Sequence, residues 1–427
     1  QHRGVHVLKS IAPETEILHI PLKFIMTSEM ARASSICKSM LSKKVEVESA
    51  HTWIATFLLQ ERHKKKSSFF YPYINALPKK FPTIPLFFKE NLLKELKGSF
   101  SLGKISRRNE HLNHEYIRLQ HKLEEFKHFS YEDFVWARLV VITRIFGIVV
   151  NGVKTDGLVP YADMLNHKVP RETNWTYSDA KEGFNITTIR GLKMGAEVFD
   201  SYGHKCNHRF FVNYGFTIRN NHDDNECVIS IDLEQLHIQE AKLKALKSLY
   251  LDPSLHNTHQ IPAKYDSKSK RLFGFCRLMV AGVADFNNVV YQIAGSHRMQ
   301  IGRGEVPDFH LEAIEAISRE NEIKVLTNIR SAARSALAEF DTSVAYDRKL
   351  LDDGIKDINL KNCVVMRLGE KLVLEWWVSL CDRGLDMLNM SFFRLRGRIK
   401  AILNEDPDFD AYVEQVLEPL VRRDAYF

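Results

Sequence analysis

The spacing of apolar and polar positions changes several times along the 427 residues. Near the start, Arg3-Gly4-Val5-His6-Val7 and Ile17-Leu18-His19-Ile20-Pro21 flank a turn at Pro13-Glu14. This predicts a β-hairpin whose second strand Pro21 ends. From about 45 to 150 the spacing is mostly helical. Trp53, Ile54, Phe57 and Leu58 share one face. Ser67-Ser68-Phe69-Phe70-Tyr71-Pro72-Tyr73 interrupts the helical run. Phe134, Ala137, Val141 and Ile145 then keep register in a helix over about Tyr131 to Phe146. Phe184 to Thr188 alternates as a strand, and Gly191 to Gly195 reads as a turn. The polar stretch His222-Asp223-Asp224-Asn225 is a candidate domain boundary. Beyond it, residues 230–427 are largely amphipathic helix, including Glu322 to Leu337 and Arg367 to Trp377.

Composition narrows this picture modestly. Hydrophobic residues are 44% and charged residues 26%, a soluble globular balance. The apolar cluster around Val140 is broken by Arg138 and Arg144, so it predicts a core helix rather than a membrane span. The length suits two domains. The net charge of +7 falls short of a nucleic-acid-binding signature. Short basic runs such as Lys64-Lys65-Lys66 read as solvated loops. None of the six cysteines forms a C-x-x-C pair, so no metal site is expected. Their scatter suits a reducing interior, cytosol or nucleus. The chain begins at Gln1 rather than methionine, so a trimmed start is expected and any targeting signal is unreadable.

Chemistry concentrates between Leu158 and Asn221. Val159-Pro160-Tyr161-Ala162-Asp163-Met164-Leu165-Asn166-His167 comes first. Glu197-Val198-Phe199-Asp200-Ser201-Tyr202-Gly203 follows, and then Asn213-Tyr214-Gly215-Phe216. Asn166 and His167 offer an amide, an imidazole and adjacent backbone polar groups, enough to hold a polar, adenine-bearing cofactor. Tyr202 and Tyr214 offer rigid aromatic walls with hydroxyl tips. A turn at Asn-His and core tyrosines would be the plain alternative for any one of them; the constellation favours a site.

Together these residues resemble the catalytic half of a SET domain, in the branch typified by the Rubisco large-subunit lysine methyltransferase. In that branch an Asp-x-x-Asn-His motif precedes a tyrosine-bearing strand and a Tyr-Gly-Phe segment threaded beneath a loop. Here the matching stretches are Asp163 to His167, Glu197 to Gly203 and Tyr214 to Phe216. Phe70, Pro72, Tyr73, Leu77 and Pro78 resemble a further family segment, with Phe70 in place of its tryptophan. Arg367-Leu368-Gly369-Glu370-Lys371 resembles the branch's helical C-terminal domain.

The resemblance implies an α+β chain. A SET β-fold with a threaded, pseudo-knotted C-terminal segment would occupy 1–221, with a helical insertion at about 45–150. An all-α substrate-binding domain would occupy 230–427. It also implies S-adenosylmethionine as cofactor, S-adenosylhomocysteine as product, and a protein substrate presenting a lysine; charge and hydropathy lead to the expectation of neither nucleic acid nor membrane as partner. Tyr202 would be catalytic. Arg3, Gly4, Arg144, Asn166, His167, Tyr214 and Phe216 would bind the cofactor, Arg144 through its carboxylate. Phe146, Asp163 and Tyr214 would line the substrate channel. Asp163 either faces the substrate amine or caps a turn, and Trp175 and Tyr177 are candidates for a further aromatic wall. One relative of the branch methylates a histidine of actin, with a tryptophan and an asparagine where this chain has Ala162 and Phe146, and it lacks the tyrosine matching Tyr214. Those three differences favour lysine over histidine, and a non-histone protein is the leading substrate, with a histone left open. Histidine transfer and a silent scaffold that binds partners through its helical domain are the alternatives.

Overall fold

The computed structural model describes residues 3–47, 49–234, 236, 238, 240–248, 252–287, 289, 310–402 and 406–424. The chain divides into two compact units. The first comprises Gln1–Phe88, Gly103–Lys205 and Arg209–Phe216; the second comprises Lys89–Leu102, Cys206–His208 and Thr217–Phe427.

The first unit holds three small sheets. Strand β1 (Val5–His6) is antiparallel to β9 (Glu197–Asp200), which on its other side runs parallel to β6 (Asn166–His167). Strand β2 (Glu16–Pro21) pairs with β8 (Gly183–Thr188), and β8 with β7 (Thr173–Ser178). The third sheet orders β3 (Met26–Thr27), β5 (Val153–Leu158) and β4 (Ile145–Val150). The expected opening hairpin is therefore corrected: β1 and β2 pair with β9 and β8, not with each other. A tight hairpin closes over two to five residues, and the intervening chain instead runs along Gly191–Leu192, where Ile11 bridges Leu192.

The helical stretch needs a second correction. The helix Tyr131–Arg144 starts at a capping box of Ser130 and Asp133 and stops before Ile145. Residues 145–150 are strand, because Ile148, Val149 and Val150 are β-branched and Asn151-Gly152 turns the chain. Both turn residues have positive φ (48° and 78°), the conformation an Asn-Gly hairpin requires. The faces read from the spacing do enter the core. Trp53, Ile54, Phe57, Leu58, Phe134, Ala137 and Val141 are buried in one cluster, while Ile148, Phe184, Ile186 and Val198 form another under the strands.

The second unit is mostly helical. The helices Arg319–Ala338 and Ile358–Leu388 carry much of its core, which buries Phe273, Trp377 and Tyr412. A two-stranded ladder, β10 (Glu226–Ser230) with β11 (Thr258–Pro262), adds β structure to this unit, and Trp377 Nε1 donates to Pro262 O at 2.8 Å. Among the described residues, no helix is long and apolar enough to cross a membrane. All six cysteines are buried, and none is in a disulfide.

Candidate active site

The parallel pairing of β6 with β9 sets Asn166 beside Phe199 and His167 beside Asp200, so two motifs far apart in sequence become neighbours. The His167 ring accepts a hydrogen bond at Nδ1 from the Tyr202 backbone N–H at 2.9 Å. Its proton therefore sits on Nε2, which is buried with no protein partner. Burial, followed by the nearby Lys205 and His204 charges, lowers the His167 pKa to about 4, so the ring is neutral at physiological pH.

Tyr202 turns its hydroxyl back onto Leu165 O at 2.9 Å. Burial pushes its pKa upward, which keeps the phenol protonated. Its ring lies 5.0 Å from Tyr214 and 5.2 Å from His167. Phe210 stacks on Phe216 at 5.0 Å and stands 4.8 Å from His167. Gly215 lets the chain turn between Tyr214 and Phe216. Its φ is +77°, and a Cβ there would lie 2.5 Å from Thr83 Oγ1.

A second group gathers at the chain start. Asn166 Nδ2 donates to Arg3 O at 2.7 Å and to Glu197 Oε1 at 2.6 Å. Gly4 lies against the same pair: a Cβ would fall 2.2 Å from Glu197 Oε1 and 3.2 Å from Asn166 Nδ2. A side chain there would have to displace the end of Glu197, so glycine is what lets the backbone lie this close. The Arg3 guanidinium points away and donates to Ala76 O at 3.0 Å.

Arg144 and Asp163 pair with each other. Arg144 NH1 donates to Asp163 O at 2.8 Å and to Asp163 Oδ2 at 3.1 Å. Tyr73 OH donates to the same Oδ2 at 2.9 Å. Burial raises the Asp163 pKa, against the lowering pull of Arg144 and Tyr73. Asp163 Oδ1 and Arg144 Nε are buried without partners. Asp163 is thus a buried, shared acceptor here rather than a turn cap. Phe146 stands in a separate aromatic group, 5.5 Å from Trp175 and 5.1 Å from Phe184. Trp175 stacks on Phe184 at 5.3 Å.

Three further residues that the sequence motifs do not single out lie here: Phe210, Glu197 and Tyr73. Phe210 precedes Tyr214 by four positions on the helix Asn207–Tyr214, so helical spacing alone signals it. Glu197 opens the tyrosine-bearing strand. Tyr73 lies 90 positions from Asp163, and its own sequence carries no sign of that partner.

The donor set fits an adenosyl-bearing cofactor. The orphaned buried His167 Nε2 offers a donor, the Gly4 cradle brings backbone close, and Phe210 and Phe216 present stacked rings.

Residues 237–374 match the family described as Rubisco LSMT substrate-binding. The structure is similar to a SET domain of LSMT bound to lysine and AdoHcy (TM-score 0.70, 21% identity, 99% of this chain and 92% of that one). It is also similar to Rubisco LSMT bound to AdoMet (TM-score 0.69, 22% identity, 96% and 92%). Among curated proteins, the human actin-histidine N-methyltransferase is 24% identical over 393 residues, 87% of this chain. The chloroplastic fructose-bisphosphate aldolase-lysine N-methyltransferase of Arabidopsis thaliana is 25% identical over 424 residues, covering 92% of this chain and 80% of that protein. The chain spans less than two thirds of the length of the human relative, 62%. The chain therefore shares the fold of the LSMT SET-domain structures, and its residues 237–374 match the Rubisco LSMT substrate-binding family.

Proposed function

We infer that the chain is a protein N-methyltransferase that uses S-adenosylmethionine and acts on a lysine of a protein substrate. The observation that carries this reading is the closure of β6 on β9, beside which the rings of His167, Tyr202, Tyr214 and Phe216 pack together, with Asn166 next to His167 on β6. Asn166, His167, Gly4 and Phe216 would hold the cofactor. When bound, it supplies an electrophilic methyl group that an amine lone pair displaces from sulfur. Arg144 NH1 is committed to Asp163, so the buried Nε edge is what Arg144 retains for an anion.

The chain's own task is to present the amine neutral and aligned. A free lysine has a pKa of about 10.4, and a dry aromatic channel disfavours its charged form. The rings of Tyr202 and Tyr214, 5.0 Å apart, form such a wall. A phenol held protonated by burial is a poor general base. Tyr202 instead fixes geometry through the Leu165 carbonyl and offers oxygen lone pairs to the amine. Placement of this kind accounts for a large share of rate in displacement chemistry.

Histidine is the second reading, because actin-histidine methyltransferases match over most of the chain. An apolar channel suits an alkyl stem better than an imidazole, and Phe146 with Trp175 and Phe184 supplies apolar surface. The test is transfer of labelled methyl groups from S-adenosylmethionine into a cell lysate, then acid hydrolysis of the labelled protein. Methyllysine supports the proposal. Methylhistidine moves the acceptor to imidazole, and no label from a folded chain that binds the cofactor removes the enzyme reading.

A further inference from the structure

We propose that Cys206, His208 and Glu226 form a binding site for a divalent transition metal, with zinc as the best-suited occupant. The absence of a C-x-x-C pair argues against a metal site in sequence. A C-x-H step joined to a glutamate 18 residues on escapes that pattern. In the structure the three donor atoms lie within 4.8 Å of one another. Cys206 Sγ is 3.1 Å from His208 Nδ1. Ligands at zinc distances of about 2.3 Å for sulfur and about 2.0 Å for nitrogen stand roughly 3.5 Å apart in a tetrahedron. A few tenths of an ångström of opening would admit the ion.

The geometry around the triad is built rather than incidental. Asn207, between the two ligands, is buried and exchanges hydrogen bonds with Ile218, Nδ2 to O at 2.8 Å and Oδ1 from N–H at 2.8 Å. Its backbone N–H donates to Asn225 Oδ1 at 3.1 Å, and Asn225 is the residue before Glu226. The pair Asn207–Asn225 thereby fixes the Cys-x-His segment against the start of β10. Gln260 on β11 donates Nε2 to Glu226 Oε2 at 2.5 Å, which orients the carboxylate from outside. The Phe100 ring, 4.9 Å from the His208 ring, limits rotation of the imidazole.

The ligand chemistry selects the ion. One thiolate, one imidazole and one carboxylate suit zinc, and three protein ligands leave a fourth position for water or an incoming group. The thiol loses its proton to solvent on binding. Thiolate and carboxylate together then balance the two positive charges of the ion. Lys268, which pairs with Glu226 Oε1, must give up that contact.

The test uses the full chain, stripped with a chelator and titrated with Co2+. The expected result is one equivalent bound, with a thiolate-to-cobalt charge-transfer band and tetrahedral visible bands, all displaced by Zn2+. Cys206→Ser should abolish the charge-transfer band, and Cys37→Ser should leave it. Gln260→Leu should weaken affinity by about 10- to 100-fold while the band stays in place. Absence of the band overturns the proposal, as does a band that survives Cys206→Ser. Circular dichroism checks each variant's fold. If Cys206→Ser fails to fold, His208→Ala at its half-buried position decides instead, and unchanged affinity there overturns the site.

Discussion

At the scale of single residues, the site depends on where hydrogen atoms sit. Tyr202 makes one hydroxyl contact, to Leu165 O, while its ring packs on Tyr214 and His167. Tyr202→Phe keeps the ring and loses the hydroxyl. Cofactor affinity, read by calorimetry, should stay within a factor of a few, while kcat falls about 100-fold through lost positioning. Equal losses in both would assign Tyr202 to cofactor binding instead. His167 makes a prediction about acid. Its pKa of about 4 in the fold lies below the ordinary imidazole value. Its contribution to stability is therefore full above about pH 6.5. As pH falls from there, the unfolded chain takes the proton first, and stability drops by up to about 1.4 kcal/mol per pH unit until about pH 4. His259, also lowered to about 4 by burial, acts in the same window. Urea midpoints measured between pH 7 and pH 4 should fall, and His259→Leu should flatten part of the slope. These protonation states could not be read from the motif. The sequence names His167, but only the fold shows that Nδ1 is occupied and Nε2 is enclosed.

At the scale of elements, what the sequence showed clearly was periodic, and what it hid was non-local. The buried face of Trp53, Ile54, Phe57 and Leu58 follows from helical spacing. The Asn151-Gly152 hairpin had an equally local signal that the helical reading overran, since β-branched residues fit either period over so short a run. The partners of β1 and β2 had none, because strands of two and six residues carry too little pattern to name a partner more than 160 residues away. Gly4 and Gly215 differ in the same way. Either could be an ordinary turn glycine by sequence, yet each sits against a distant group. Gly215→Ala meets both a positive φ and the Thr83 backbone at 2.9 Å. It should destabilise by about 1–3 kcal/mol, seen as a lowered thermal midpoint. Gly4→Ala meets the movable end of Glu197 instead. It should leave the midpoint nearly unchanged and weaken cofactor binding about tenfold, since the Asn166–Glu197 contact must open. If Gly4→Ala bound cofactor normally, the chain start would lie outside the cofactor site.

At the scale of the whole molecule, a polar break at 222–225 invites a division of the chain near that point, yet the second unit is assembled from three separate stretches. Residues 89–102 supply buried polar partners to its long helix. Glu370 is buried on the helix Ile358–Leu388 and accepts from Ser99 Oγ at 2.7 Å, Ser101 Oγ at 3.2 Å and the Phe100 N–H at 3.3 Å. Even with these donors, burial raises its pKa to about 8. Arg367 donates to Glu95 O at 3.0 Å and holds buried Asp347 at 2.8 Å. A chain of residues 217–427 alone would keep Glu370 and Arg367 but lose Glu95, Ser99, Phe100 and Ser101. Each buried polar group left without its partner costs about 1–3 kcal/mol, so the loss is a large part of a typical domain's stability. The fragment should therefore unfold at much lower urea than the same unit in the full chain. Fluorescence of Trp376 and Trp377 reads this cleanly in the fragment, because the other three of the five tryptophans, Trp53, Trp136 and Trp175, lie in the first unit. Joining residues 89–102 to the fragment through a flexible linker should recover the transition, and Ser99→Ala with Ser101→Ala in that joined chain should lose part of the gain. A fragment as stable as the full chain's unit would mean that water solvates Glu370 once the segment is gone, and that residues 89–102 decorate this unit without supporting it.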